Sequence, residues 1–475
     1  MNTHIKALIS IALAAVLSGC AVGPDYRAPQ TPAPDEFIAA ERAQTSSAEV
    51  EREFWKSFND QQLNDLIERA LAANHDIRIA TARLREARAL RGEARLDFAP
   101  TITASGSSVD ARASERQGPI AGAPRDQDFY EASFDAFWEL DFFGRVRRGV
   151  EARSAQVQSA EASVYSTQVS VTAEVARRYF ELRGAQQRLE VARRNADNQR
   201  ETLRITQVRL DAGRGAQLDS SRAQAQLSAT LATIPDLEES VLRSILRLGV
   251  LIGESPEVLV DDLSAPRGLP TLPVAHSIGT PEALLRRRPD ILGAERDLAA
   301  ATANIGVAVA DLFPRISFIG RWGFDAIDSS ALGEAGSEAW SFGPSIRWAA
   351  FDLGRVRQRI HQREAAADGA LARYEQTVLR ALEETDASLT AYGKALVKQE
   401  HLQASATASL EAATLARARF DNGVTDFLTV LDAERSALAA EDQLAQSETQ
   451  TATALLATYK ALGGGFRPID TRASM

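Results

Sequence analysis

The sequence predicts a mainly α-helical protein with a β-barrel part, which takes four short strands from each chain. Three observations predict this class. Two segments of almost seventy residues carry an apolar heptad repeat, four stretches of about ten residues alternate apolar and polar side chains, and the whole arrangement occurs twice. The predicted architecture is therefore a duplicated unit in which long antiparallel coiled-coil helices are joined to amphipathic strands.

The composition excludes several classes of function. The 475 residues include 54 basic and 64 acidic side chains, and the formal net charge of −10 disfavours binding to nucleic acid. A single cysteine excludes an internal disulfide and any site with several cysteine ligands. No run of about 20 apolar residues occurs, so we expect no membrane-spanning helix in the mature chain.

The first twenty residues have the pattern of a bacterial export signal that ends in a lipidation site. Lys6 precedes the apolar run Ala7–Val16, which is followed by Leu-Ser-Gly-Cys ending at Cys20. This ending resembles a lipobox, which implies removal of residues 1–19 and attachment of S-diacylglycerol and an N-acyl chain to Cys20. Because Ala21 is not Asp, the resemblance also implies sorting to the outer membrane. The alternative is an ordinary signal peptide with an incidental cysteine.

A duplicated unit is indicated by equal spacings between matched residues. The interval is 24 residues in both Asp76–Pro100 and Asp290–Pro314, and it is 69 residues in both Gly144–Gly213 and Gly354–Gly423. The predicted organisation is a signal peptide (1–19), a lipidated extended segment (20–54), a first repeat (55–252), an extended proline-rich linker (253–280), a second repeat (281–465) and a C-terminal tail (466–475).

Each repeat is expected to contain one long helix and a shorter helix that returns beside it. The first long helix is predicted at 146–211, where Val, Leu and Ala recur every seven residues with one four-residue step. At 1.5 Å per residue, a helix of this kind reaches about 100 Å. Gly213 and Gly423 are expected to end the two long helices in a left-handed conformation. The returning helices are predicted at 217–250 and 427–462.

Four stretches have the alternation of strands with one apolar face: 101–109, 134–142, 315–324 and 341–350. Their length suits tilted strands in a bilayer, and four of the five tryptophans lie in or beside them, as is typical of membrane interfaces. The alternative is two soluble hairpins packed on the helices. In lipid, four strands cannot close a barrel, so the chain must oligomerise. Gly144 and Gly354 lie at the strand-to-helix junctions, where we expect a sharp bend.

The mature start CAVGPDYRAP (20–29), the segment LLRRRPDILGAERDLAAATANIGVAVADLFPRISFIGRWG (284–323) and the paired FGRVR and LGRVR turns resemble TolC-like outer-membrane efflux channels. More narrowly, they resemble the NodT-type lipoproteins of tripartite efflux systems. The resemblance implies a homotrimer, with a 12-stranded barrel in the outer membrane and a helical tunnel in the periplasm. It also implies a passive duct for drugs or other small molecules, whose partners are a periplasmic adaptor protein and an inner-membrane pump, commonly of the resistance-nodulation-division type.

The resemblance further implies roles for residues near the periplasmic aperture. Asp432 aligns with an acidic ring inside the aperture, and Asp219 aligns with an acidic residue that bonds to the second repeat. Thr429 occupies the second acidic position of the family, three residues before Asp432, so the outer acidic ring is expected to be missing. Phe420 and Thr425 stand where the family often has Tyr and Arg, so they cannot make the same closing bonds. The alternative role of Asp432 is a solvated charge on the outside of a coil.

The two helix turns are expected to meet the adaptor. The residues that the resemblance assigns to this contact are Arg209, Gly213, Arg419 and Gly423. The alternative for the two arginines is that they complement the negative C-terminal ends of the long helices.

No constellation of residues indicates catalysis or binding of a metal, nucleotide or redox cofactor. The five histidines are scattered, and the chain lacks both the phosphate-binding pattern G-x-x-x-x-G-K-[ST] and the elbow G-x-S-x-G. We therefore expect a protein that is not an enzyme and that depends on a partner for transport energy. Two alternatives are the outer duct of a protein-secretion system and a structural coiled-coil lipoprotein, although a structural role does not explain the strands.

Overall fold

The computed structural model describes residues 21–30, 34–38, 45–46, 52–114, 116, 124–273 and 276–467, so the expected signal peptide and Cys20 lie outside the described residues. The chain divides into two compact units. The first, here called the strand unit, contains Met1–Gln30, Arg83–Glu161 and Gly293–Glu375. The second, here called the helix unit, contains Thr31–Ala82, Ala162–Leu292 and Gln376–Met475. Each unit contains matching parts of both predicted repeats.

The helices are α1 (Gln61–Ala73), α2 (His75–Leu96), α3 (Arg145–Asp211), α4 (Gln217–Leu251), α5 (Val260–Leu263), α6 (Pro281–Arg287), α7 (Pro289–Ala310), α8 (Leu353–Asp421) and α9 (Phe427–Ala461). The long helices α3 and α8 contain 67 and 69 residues, and the returning helices α4 and α9 contain 35 residues each. The predicted bounds of α3, α4 and α9 agree with these to within one residue. Among the described helices, none is both long and apolar enough to cross a membrane.

Both long helices end in the same hydrogen-bonded turn. Gly213 and Gly423 have φ angles of +66° and +71°, as predicted for left-handed residues at a helix end. After α3, the Gly213 amide donates to the Leu210 carbonyl at 2.9 Å, and the next amide donates to the Arg209 carbonyl at 2.8 Å. The equivalent bonds after α8 end on the carbonyls of Phe420 and Arg419.

The four predicted strands form one antiparallel sheet in the strand unit. Its order is β2 (Thr101–Arg112), β3 (Asp126–Leu140), β5 (Arg315–Ala326) and β6 (Glu338–Arg347). A separate parallel pair joins β1 (Thr45–Ser46) to β4 (His276–Ser277). The strands β2 and β6 therefore form the edges of the four-stranded sheet, and each has one side without a partner strand in the described part of the chain.

The predicted strand bounds differ from those observed by two to eight residues at six of the eight strand ends, because pairing rather than side-chain alternation sets where a strand ends. The strand β3 begins at Asp126, eight residues before the predicted start, since its polar residues continue the ladder with β2 as far as Arg112. The strand β6 ends at Arg347, whose partner Arg315 is the first residue of β5. Trp348 therefore lies beyond the ladder, where its indole donates to the Leu312 carbonyl at 2.9 Å.

The sheet has one apolar face and one polar face, as the alternation predicts. Register places Phe134, Trp322 and Trp340 in one row of the apolar face, and it places Asp135, Arg321 and Ser341 in one row of the polar face. The apolar face is uncovered in the protomer: Trp340 is 66% exposed and Ile346 is 69% exposed.

The core of the helix unit is aromatic and lies around a 3₁₀ turn at Phe54–Phe58. Phe54 stacks on Tyr459 of α9 with ring centroids 4.8 Å apart, and Phe58 packs edge-on against Phe180 of α3 at 5.1 Å. The buried Arg183 of α3 approaches the linker, since it lies 3.4 Å from the Ala265 carbonyl. This core therefore ties both repeats and the linker to one another.

The linker is not extended throughout, contrary to the prediction. A 3₁₀ turn at Pro256–Leu259 runs directly into α5. Pro256 is tolerated because it occupies the first helical position, where no backbone donor is required. Leu259 and Leu263 are buried in the aromatic core, so burial of apolar surface favours this short helical stretch.

A close approach of α3 and α9 generates a testable prediction. A Cβ atom on Gly184 would lie 2.0 Å from Thr449 Oγ1, whereas a Cβ on Gly149 of the same helix would meet no atom within 4 Å. We expect Gly184→Ala to lower the thermal unfolding temperature, because overpacking destabilises by about 1–3 kcal/mol. Gly149→Ala is the matched control and should unfold at or above the wild-type temperature. Equal unfolding temperatures in circular dichroism would contradict this packing.

Candidate aperture at the hairpin turns

The turns that follow α3 and α8 are joined by a contact between Arg209 and Phe420. The Arg209 guanidinium carbon lies 4.0 Å from the centroid of the Phe420 ring, and its Nη2 donates to the Phe420 carbonyl at 3.4 Å. A cation over an aromatic face is stabilised by about 0.5–2 kcal/mol. Phe420 therefore makes a cation–π contact, where a tyrosine would make a hydrogen bond through its hydroxyl. Arg209 thus has a partner within the chain.

A small apolar cluster lies beneath this contact. Phe420 packs on Phe427, the first residue of α9, with ring centroids 5.7 Å apart. Phe427 and Leu431 are buried against Ala223 of α4. The turn of the second repeat is thus packed on helices of the first repeat.

A polar cluster, here called the Arg417 cluster, consists of Thr202 in α3, Arg417 in α8 and Glu434 in α9. Arg417 Nη2 donates to Glu434 Oε1 at 2.7 Å, to Thr202 Oγ1, and to the Asn198 carbonyl at 3.2 Å. The Thr202 hydroxyl also donates to Glu434 Oε1 at 3.2 Å. One guanidinium nitrogen therefore ties the second-repeat hairpin to the first-repeat helix.

The carboxylate of this cluster is largely withdrawn from water. Only 13% of the Glu434 side chain is exposed, and its Oε2 atom is buried without a hydrogen-bond partner. Burial raises the pKa of Glu434, although the Arg417 charge and the Thr202 hydrogen bond act in the opposite direction. The Arg417 guanidinium is thus the charge that favours the ionised form of this carboxylate.

The Arg417 cluster belongs to a column of polar contacts between α3 and the second repeat. Farther along α3, Arg188 Nε donates to Asp442 Oδ1 at 2.7 Å, and Asn195 Nδ2 donates to Glu441 Oε2 at 3.0 Å. The α3 members of the column are spaced by seven residues: Arg188, Asn195, Thr202 and Arg209. Each lies one position before an apolar residue of the predicted seam, so a polar heptad position was the sequence signal that we missed.

The acidic residues expected at the aperture differ in their surroundings. Asp432 is exposed, and its carboxylate has no hydrogen bond or ion pair with the described residues. Asp219 is half-buried and likewise has no side-chain bond to the described part of the second repeat, so the bond implied by the resemblance is absent from the protomer. Asp426 is the N-cap of α9, and it accepts hydrogen bonds from the Thr429 amide and hydroxyl at 3.0 and 2.7 Å.

These two bonds lower the pKa of the Asp426 carboxyl, so this acidic group stays ionised six residues before Asp432. Thr429, which stands at the second acidic position of the family, therefore donates to an acidic side chain at the start of α9. Thr425 is half-buried in the turn before the cap. Arg419 is exposed and has no side-chain partner among the described residues, in contrast to Arg209.

The two strand-to-helix glycines are not equivalent. Gly144 has a φ of +79°, and a Cβ there would lie 2.6 Å from the Ala21 Cβ, so both bend and space require glycine. Gly354 has no positive φ and would place a Cβ in open space. It is already the second residue of α8, so the expected backbone requirement was wrong at this position.

The residues that follow Cys20 are held against the start of α3. The Val22 amide donates to the Phe143 carbonyl at 3.2 Å. The buried Arg148 donates to the Val22 carbonyl at 3.3 Å and to Asp25 Oδ1 at 2.6 Å. Cys20 itself lies outside the described residues, but the residues from Val22 to Asp25 are bonded to Phe143 and Arg148 of the strand unit.

Comparison with known proteins identifies a family. The family model described as outer membrane efflux protein matches residues 66–254 and 280–464. Nodulation protein T of Rhizobium leguminosarum bv. viciae is 30% identical over 472 residues, covering 98% of this chain and 94% of that protein. Outer membrane protein OprJ of Pseudomonas aeruginosa is 31% identical over 463 residues, covering 96% of this chain and 95% of that protein. The solved outer-membrane channel OprN has 45% identity and a TM-score of 0.87, covering 94% of this chain and 99% of its own.

The Arg417 cluster generates a prediction about stability. Arg417→Gln should destabilise the protein by about 1–3 kcal/mol, because it leaves the Glu434 carboxylate buried without a cation. The double variant Arg417→Gln/Glu434→Gln should recover most of this loss. Arg419→Gln, two residues away on an exposed side chain, is the matched control and should unfold like wild type in circular dichroism.

The loss in Arg417→Gln should also depend on pH. Burial raises the pKa of Glu434 in the folded state, so the group takes up a proton at a higher pH than in the unfolded chain. As pH falls from neutral toward the ordinary glutamate pKa of about 4.3, protonation removes the buried charge, and the gap between the variant and wild type should narrow. A loss that is independent of pH, or a double variant as unstable as the single one, would contradict this account.

Proposed function

Because the chain belongs to the outer membrane efflux protein family, we propose that it forms a homotrimeric exit duct, through which small molecules pass passively to the exterior. It is an outer-membrane efflux channel and not an enzyme. Members of the family are outer-membrane components of tripartite efflux systems, which have adaptor and pump partners. In the proposal, this chain receives its substrates from a periplasmic adaptor and an inner-membrane pump of the resistance-nodulation-division type, whose energy drives transport.

The single observation that supports the proposed trimer is the four-stranded sheet, which has two unpaired edges and an uncovered apolar face in the described part of the chain. Backbone groups at an open edge cannot remain unsatisfied in lipid. Two copies would supply about eight strands, which fill a small barrel with side chains, whereas three supply twelve and leave a pore. The apolar face then contacts lipid, and the polar face lines the lumen.

Lipidation of Cys20 is part of the proposal. It is supported by the sequence that ends at Cys20 and by the bonds of Arg148, which hold the next residues against the strand unit. An S-diacylglycerol and an N-acyl chain would thus enter the outer-membrane lipid beside the protein. Metabolic labelling with palmitate should mark the wild-type chain but not Cys20→Ser.

We also propose that the Arg417 cluster and the Arg209–Phe420 contact hold the periplasmic aperture closed. Both join α3 to the hairpin of α8 and α9, so the second hairpin cannot move away from α3 while they persist. Asp432, which is exposed and unpaired in the protomer, lines the axis in this arrangement. Three copies near a narrow axis attract cations, which would make the aperture cation-selective.

The proposed adaptor contact uses the exposed ends of the two hairpins. Arg419 is free of side-chain partners in the described structure, and the turn glycines Gly213 and Gly423 leave open space where a Cβ would be. Arg209 is occupied by Phe420 in the protomer, so it becomes available to an adaptor only when that contact breaks.

Conductance in planar bilayers tests the closing contacts. The purified protein should form channels, and Arg417→Gln should raise their conductance or open probability, because the bond to α3 is lost. Arg419→Gln should leave both unchanged without an adaptor. Protein that reconstitutes but gives no channels would count against the duct itself, and unchanged channels in Arg417→Gln would remove the cluster from the gate.

Selectivity tests the role of Asp432. In the same bilayers, Asp432→Ala should reduce the preference for cations and weaken block by divalent cations, because the ring of negative charge is gone. Asp128→Asn, at an exposed acidic residue of the strand unit, is a control for general charge effects. Wild-type selectivity and divalent block in Asp432→Ala would place Asp432 on the outside of the coil.

A further inference from the structure

We propose that the strand unit contains a binding site for an amphiphilic organic cation, in a cavity beneath the segment that joins β5 to β6. The inference rests on the proposed function, because that assigns the polar face of the sheet to the lumen. It concerns the end of the sheet that is remote from the strand-to-helix junctions, and it is separate from the aperture at the helix turns.

The joining segment folds back over the sheet. Residues 327–337 contain two 3₁₀ turns, Ser329–Ala331 and Ala335–Ser337. Glu334 of this segment lines the same cavity as Arg321, which lies five residues before the end of β5. The segment and the polar face of the sheet therefore border one cavity. The cavity beneath it measures about 820 Å³, within the range that encloses drug-sized ligands.

The cavity carries an excess of negative charge. Arg321 Nη2 donates to Glu131 Oε1 at 2.6 Å, and Arg321 Nη1 donates to Asp325 Oδ2 at 3.1 Å. One guanidinium thus satisfies two carboxylates from neighbouring strands. Glu334 adds a third carboxylate at the exposed rim, so three acidic groups and one basic group leave a formal charge of −2. This balance favours a cation and excludes an anion as the preferred occupant.

The same cavity also exposes apolar side chains. Phe129 is 45% exposed and Ile327 is 74% exposed, and both line the cavity together with the charged groups. A small inorganic cation gains little from such surfaces, because its hydration shell keeps it away from them. An organic cation can bury its alkyl groups against Ile327 and place its charge near the face of Phe129. The combination of apolar surface with net negative charge therefore specifies the class of ligand.

Tetrabutylammonium is a suitable probe of the purified protein in planar bilayers. Added on the side of the β5–β6 segment, it should block the current more strongly than tetramethylammonium, because its butyl groups reach the apolar lining. Glu334→Gln should raise the half-blocking concentration about fivefold, since one charge at the rim is removed without disturbing the Arg321 bonds. Phe129→Ser should reduce the difference between the two probes.

Asp128→Asn is the matched control, because Asp128 is an exposed acidic residue of β3 on the face opposite to Phe129 and Glu131. It should leave the half-blocking concentration unchanged. Equal block in Glu334→Gln and wild type, or block that is lost only in Asp432→Ala, would overturn the proposed site. A channel that conducts but shows no sided block counts against this site alone.

Equilibrium dialysis of tetrabutylammonium against the detergent-solubilised protein tests the site without conductance. Saturable binding that weakens in Glu334→Gln but not in Asp128→Asn supports it. Absence of saturable binding overturns it, whether or not the protein forms channels.

Discussion

The structure depends on a constraint that one chain cannot satisfy by itself. Its four-stranded sheet leaves the backbone groups of β2 and β6 unpaired along the outer edges, and it presents aromatic and aliphatic side chains to the surroundings. Water would disfavour the apolar face, and lipid would disfavour the open edges. Closure by sister chains satisfies both at once. In the proposed trimer, the polar face of the sheet would line the lumen.

In the helix unit, two kinds of contact join the repeats. Apolar seam residues and the aromatic core hold the helix unit together over most of its length. The neighbouring heptad position of α3 is polar, and it is bonded to the second repeat through charged and amide groups. Near the turns, the bonds concentrate on Arg417 and on Arg209. In the proposed gate, these are the contacts that would break when the aperture opens.

The sequence predicted the regular features because their periods repeat many times. The sevenfold apolar pattern located α3, the turn glycines located the returning helices α4 and α9, and the alternation located all four strands with their two faces. The sequence patterns failed to predict features that a single long-range contact determines. The start of β3 follows from pairing with β2, and the helical turn at Pro256 follows from burial of leucines in a distant core. Gly354 and Gly144 align between the repeats, but only Gly144 meets the N-terminal segment.

At the candidate aperture, too, the sequence predicted part of the arrangement and missed specific side-chain contacts. Alignment of the turn glycines identified Phe420 as unable to make a tyrosine's bond, but it could not reveal that Arg209 would lie on its ring. Likewise, the replacement at Thr429 suggested a lost acidic ring, whereas the structure shows that Thr429 holds the ionised Asp426. The first result depends on side chains of two different helices, which a single sequence does not pair. The second is a local helix cap between residues three positions apart, so the order Asp426 then Thr429 at the start of a predicted helix could have indicated it.

The central claim, that sister chains close the sheet, is tested most directly by disulfide cross-linking between its two edges. Ser341→Cys on β6 would be combined in turn with cysteines at polar-face positions of β2, such as Ser107→Cys. Within one chain, β3 and β5 separate these edges by about 14 Å, which is too far for a disulfide. Mild oxidation in membranes should therefore give a ladder that ends at a covalent trimer, and wild type should give none. Monomers at every pair, or a ladder that continues past three chains, would contradict the account.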